Sequence, residues 1–177
     1  MASIRIDSLV RYFIYATLIN AFAAVAFTAP VIIPQLAFPL KLEVWPGTWM
    51  FISYFVFLIV GVLGSLGWAV LLDMVRRVTR AESCDRFLAT SSLVLTELAV
   101  YVEVSFMFTA GYIGGSYAFG NAVGSSVITY IIGPLVIPIG VSIFIYLVGM
   151  LLGLMNVVLI FGDARGPSTT MAQAAQL

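Results

Sequence analysis

Between Phe87 and Ile113 runs an apolar stretch long enough to cross a bilayer, and it carries two carboxylates, Glu97 and Glu103, near its middle. A spanning helix has no water with which to solvate them. An acidic residue near the bilayer centre costs about 2.5–3.5 kcal/mol on insertion scales. Such a residue persists if it is protonated, paired, or turned toward a protein interior or a wet cavity. A fold for this chain must give each glutamate one of those environments.

The rest of the chain sets lipid as the solvent. Of its 177 residues, 62% are hydrophobic and 9% charged, and the mean hydropathy is +1.12. Soluble domains are about 45–50% apolar and about 25% charged. Formal net charge is zero, so no basic patch argues for nucleic acid as a partner. The chain has no histidine, which removes the commonest metal ligand and general base. No metal or cofactor is expected. The single cysteine, Cys84, can form no internal disulfide and has no CxxC or histidine neighbour for zinc. It reads as a small residue in a loop.

Four apolar runs are legible, at about 10–33, 46–74, 87–113 and 134–161. Together they predict an all-α, four-helix transmembrane bundle over 1–165, with a disordered cytoplasmic tail at 166–177. Asp7 or Ser8 could cap the first helix. Arg5, Arg11 and the alanines from Ala21 to Ala26 resemble a signal peptide, but the apolar core runs on well past those alanines, so a retained span is expected. Thr17 and Asn20 are its polar points, and Pro30, Pro34 and Pro39 kink and then end it. A loop with Lys41 and Glu43 follows. Trp45 and Trp49 suit an interfacial belt, and Pro46 suits a first helical position.

In the second helix Gly61, Ser65 and Ala69 recur every four residues on one face, a stripe that lets another helix approach closely. Such a stripe serves ordinary packing or a dimer contact. The arginine-rich segment 73–86 leads into the glutamate helix. The stretch 111–126 is rich in Gly, Ser and Tyr and reads as a loop, on the surface or dipping back into the membrane. In the last run, Gly133, Pro134 and Pro138 suggest a short piece, a kink and then a span. That span carries Gly149 and Gly153 in a GxxxG pattern, with Asn156 one turn on.

Arg5, Arg11, Arg76, Arg77, Arg80, Arg86 and Arg165 fall on one side of a four-span arrangement, and Lys41 alone on the other. The positive-inside rule then places both termini in the cytoplasm of a multi-pass cell-membrane protein.

Glu97 and Glu103 are about 9 Å apart along a helix axis and roughly 120° around it. They lie on two stripes: Glu97 with Thr90 and Tyr101, Glu103 with Thr96. Two functions are open. They could form a path for protons or ions. Alternatively, each is a protonated acid bonded to Asn20, Asn156, Tyr101 or a carbonyl within the bundle. All basic residues lie at helix ends or in loops, so a counter-charge would have to come from a partner subunit or a snorkelling arginine. No GxSxG, HExxH, P-loop or dinucleotide fingerprint occurs, and without histidine no ordinary triad forms. The aromatic residues read as membrane belts rather than a quinone site.

From Trp45-Pro46-Gly47-Thr48-Trp49-Met50 into the glycine-rich helix that follows, the chain resembles a helix of haem-copper oxidase subunit I, as in short subunit-I-like membrane proteins. The resemblance covers about a sixth of the chain. It implies helix packing and association with a respiratory or other membrane complex. It implies no haem, because the histidines that hold haem and copper in that family are missing here. The expectation is a non-enzymatic accessory or structural subunit in contact with lipid and with other membrane subunits or itself. A small proton or ion channel or transporter using Glu97 and Glu103 is the alternative, and a lipid or quinone enzyme has the least support.

Overall fold

The structure is a computed structural model that describes residues 3–32, 47–121 and 125–165. Four long helices account for nearly all of them. Strand β1 (Ser3–Arg5) leads into α1 (Ile6–Ile32). Helix α2 (Thr48–Thr79) is continuous but opens into a π-helical segment at Phe57–Leu63. Strand β2 (Ser83–Asp85), α3 (Arg86–Asn121) and α4 (Ser125–Arg165) follow. All four helices are long and apolar enough to cross a membrane. Their outward faces carry Ile19, Phe22, Val25, Phe144 and Val158, each more than half exposed. So broad an apolar surface is stable against lipid and not against water. The chain is a multi-pass integral membrane protein.

α3 and α4 form the most extensive interface. α1 packs chiefly on α2, and the first part of α2 packs on α3. Small residues set these approaches. Gly149 abuts Leu95 and Thr96, and Gly153 abuts Ser92 and Trp68. Gly61 faces Phe57 and Val100, while Ser65 and Ala69 are buried beside it. Both small-residue patterns are therefore occupied inside the bundle. One apolar cluster, with Phe13 stacked on Trp68 at 6.0 Å, fills the end that carries both strands. A second surrounds Phe57, Val100 and Val104 further along.

Two short strands were not expected. β1 and β2 pair antiparallel with Ile4 opposite Cys84, and the Ile6 amide donates to the Glu82 carbonyl at 3.0 Å. This clasp ties the chain's beginning to the α2–α3 connection. The helix starts at Ile6, so Asp7 lies in its first turn and accepts from Arg76 instead of capping. Asp85 is the cap that forms, its Oδ1 accepting from the Leu88 amide at 2.9 Å at the start of α3.

The expected loop at 111–126 is a correction. α3 continues to Asn121 and α4 begins at Ser125. Nor does α4 divide at its prolines: Pro134 and Pro138 lie within one helix. Gly111, expected to open a loop, instead marks a close crossing, because a Cβ there would strike the Met50 backbone nitrogen and lie 3.0 Å from the Trp49 carbonyl carbon. Glycine keeps a helix through this region because packing on α2 outweighs its weak helix propensity. The first loop at 34–45, with Lys41 and Trp45, lies outside the described residues, as do Pro46 and the tail at 166–177.

The crossing is testable. Gly111→Ala should destabilise the protein by about 1–3 kcal/mol, since backbone cannot move aside cheaply. Gly67→Ala, with open space around it, should be neutral or slightly stabilising. Thermal unfolding of both variants in mild detergent separates the two outcomes.

Candidate functional site

The π-helical segment shapes the interior where α1, α2 and α3 meet. Its wider turn is registered by the Gly64 amide, which donates to the Ile59 carbonyl five residues back. The Gly61 carbonyl accepts from the Asn20 Nδ2 at 2.8 Å and from the Ser65 hydroxyl at 2.6 Å. Asn20 Nδ2 also lies 2.9 Å from Glu97 Oε2, and Ser65 Oγ lies 2.5 Å from Glu97 Oε1. Tyr101 donates its hydroxyl to Asn20 Oδ1 at 2.7 Å. Asn20 and Ser65 are almost fully buried. α1 and α3 have few direct backbone approaches, so the bonds from Asn20 to Glu97 and Tyr101 are a principal tie between them.

The cluster's donors are few and shared. A carbonyl can only accept, so Gly61 fixes which end of the Asn20 amide faces it. The Asn20 amide supplies two hydrogens, Ser65 one and Tyr101 one. Five contacts of 2.9 Å or less must be served. The hydroxyl hydrogen of Ser65 cannot point at both Gly61 and Glu97. It serves the Gly61 carbonyl and Glu97 Oε1 in alternation. The remaining approach, Asn20 Nδ2 to Ser65 Oγ, is the longest at 3.3 Å. The short contacts thus share a small set of donors, and each bond is strengthened by the low-dielectric interior.

Glu103 is placed differently. It is 8% exposed, and no hydrogen bond to its side chain occurs among the described residues. α3 and α4 run antiparallel, with Ser92 beside Gly153 and Thr96 beside Gly149. Ser142, seven residues before Gly149 on α4, is itself buried and bonded to the Ile139 carbonyl. Tyr146 lies within electrostatic reach of both glutamates. With Gly64, Ser65 and Glu97 it bounds a crevice that has no room for a water molecule.

Asn156 is not part of this cluster. It lies toward the strand end of the bundle, close enough to influence the Cys84 thiol, which itself donates to the Ile4 carbonyl at 3.8 Å. Burial pushes that thiol up, with a smaller opposing effect from Asn156. The Asn156 Oδ1 and Ser92 Oγ atoms have no hydrogen-bond partner among the described residues. Of the residues singled out from the sequence, the structure therefore brings together Asn20, Glu97 and Tyr101, and leaves Glu103 and Asn156 apart. Ser65, expected only to pack, supplies a hydroxyl, and Gly61 a carbonyl. Tyr146 was not singled out at all. A serine four residues after a glycine in an apolar helix was the available signal for the first two.

Among the described residues no group of three or more histidine, cysteine, aspartate or glutamate side chains could hold a metal ion. Comparisons with family models, with curated proteins and with solved structures gave no match.

Glu97→Gln should leave stability within about 0.5 kcal/mol, because its amide can donate to Ser65 and its carbonyl accept from Asn20. Glu97→Leu should cost about 1–2 kcal/mol by stranding those partners. Unfolding in detergent decides the matter, and a Gln variant as unstable as the Leu variant would show that the fold needs a carboxylate.

Proposed function

We propose that this chain is a non-enzymatic membrane subunit that supports a larger assembly, rather than a site of chemistry. One observation carries the reading: the deepest polar cluster is spent on holding α1, α2 and α3 together. Gly61, Asn20, Ser65, Glu97 and Tyr101 partner one another, and the adjoining crevice is too tight for water. The resemblance of the Trp45–Met50 region to a haem-copper oxidase helix suggests a respiratory complex, and the arginine distribution suggests that both termini are cytoplasmic. Extraction from native membranes in mild detergent, followed by mass determination of the intact particle, tests this. Other chains should be present at fixed stoichiometry. A particle containing this chain alone would overturn the reading.

A second reading, proton or ion conduction, is favoured by Glu103. A carboxylic residue only 8% exposed, with no hydrogen-bond partner among the described residues, calls for an explanation other than stability, and Tyr146 stands within reach of both acids. On this reading, proteoliposomes carry a proton flux that Glu103→Gln reduces at least tenfold. Flux that is absent from the unmodified protein, or unchanged by the substitution, eliminates it.

A further inference from the structure

The end of the bundle that carries the two strands holds a second built feature, outside the Glu97 cluster. A cavity of about 310 Å³ is lined by Arg5, Asp7, Arg76, Arg77, Arg80 and Glu82. It lies where α1 begins and α2 ends, at the boundary between the apolar spans and their charged ends. Four guanidinium groups face two carboxylates in its wall, with Asp73 alongside. The ion pairs form a ladder: Arg76 is held between Asp7 and Asp73, Arg77 Nε binds Asp73 at 2.8 Å, and Arg5 approaches Asp7 at 3.8 Å.

That ladder fixes the guanidinium groups without using up their hydrogens. Each presents five N–H donors. Arg77 and Arg5 have side chains 73% and 75% exposed, with most donors uncommitted. Arg80 has no ion-pair partner among the described residues, and its backbone is left-handed at φ 58°. That position favours glycine. An arginine held there, with its amide bonded to the Arg76 carbonyl at 2.8 Å, points to a use for the side chain. The turn it makes leads to the Glu82 carbonyl that accepts from Ile6, so the β1–β2 clasp closes the cavity wall.

We propose that this cavity binds the phosphate of an anionic phospholipid headgroup. Phosphate oxygens match the paired N–H geometry of guanidinium. A bilayer supplies phosphate at the depth where the spans end, and basic pockets between helix ends bind such headgroups. Asp7, Glu82 and the neighbouring Asp73 oppose the anion, and the four guanidinium groups outweigh these three carboxylates by one charge.

Native mass spectrometry of the whole protein, with phosphatidylglycerol or phosphatidylcholine added to the same detergent, tests the site. Phosphatidylglycerol should be retained preferentially, and Arg77→Gln and Arg80→Gln should each weaken its retention about five-fold. Arg80→Lys should keep most of it. Arg80 has no ion pair to lose among the described residues, so its Gln variant should unfold at the same temperature and decides the result alone. Arg11→Gln, outside the cavity, should change nothing, and an equal loss there would reduce the effect to general surface attraction and overturn the site. Equal retention of the two lipids would also overturn it. Displacement of phosphatidylglycerol by inorganic phosphate would assign the pocket to soluble phosphate and overturn the lipid.

Discussion

A carboxyl in the middle of a membrane bundle must find its partners inside the protein, and the packing of α1, α2 and α3 follows from how Glu97 does so. Lipid offers neither donor nor acceptor. Asn20 and Ser65 reach the two carboxyl oxygens from different helices, and both also hold the Gly61 carbonyl. A shift of any of these helices by a few ångströms would strand several buried polar atoms at once. Apolar side chains cannot set register in this way, because sliding one against another in lipid changes little. The cluster thus gives specificity to a bundle whose surfaces are otherwise interchangeable.

The π-helical turn and the glycines make this geometry attainable. The extra residue in the turn at Phe57–Leu63 re-aims the backbone beside Gly61. Without a side chain at Gly61, Phe57 and Val100 close over the same region at 3.2–3.3 Å from where a Cβ would sit. Gly149 and Gly153 do the equivalent for α3 against α4, and Gly111 for α3 against the start of α2. Close backbone approach replaces, in lipid, the hydrophobic driving force that water would supply. Outside the spans a different chemistry takes over: strand pairing and arginine–carboxylate ladders clasp the polar end together.

Much of this was legible in the sequence. Runs of apolar residues beyond the length of a bilayer core fix helices and lipid contact, because an unpaired backbone in hydrocarbon is prohibitively costly. The same rule required buried partners for the glutamates and pointed to Asn20, Asn156 and Tyr101, of which Asn20 and Tyr101 join the Glu97 cluster and Asn156 does not. Gly, Ser and Pro were weaker guides. At 111–121 and at Pro134 and Pro138 they suggested loops or breaks, yet the backbone stays helical. In lipid the loss of helical hydrogen bonds outweighs local propensity.

The sequence by itself determined the solvent, the helical class, the number of spans and the need to satisfy two buried acids, because these depend on composition and length. Only the tertiary structure decided which acid is satisfied and by what. Glu97 and Glu103 are equally plausible along the chain, but helix rotation turns one toward Asn20 and Ser65 and leaves the other within reach of Tyr146, with no hydrogen bond among the described residues. The π-helical turn, the pairing of Ser3–Arg5 with Ser83–Asp85 and the arginine cavity likewise depend on residues far apart in sequence. Their contacts follow from three-dimensional packing, which no local periodicity encodes.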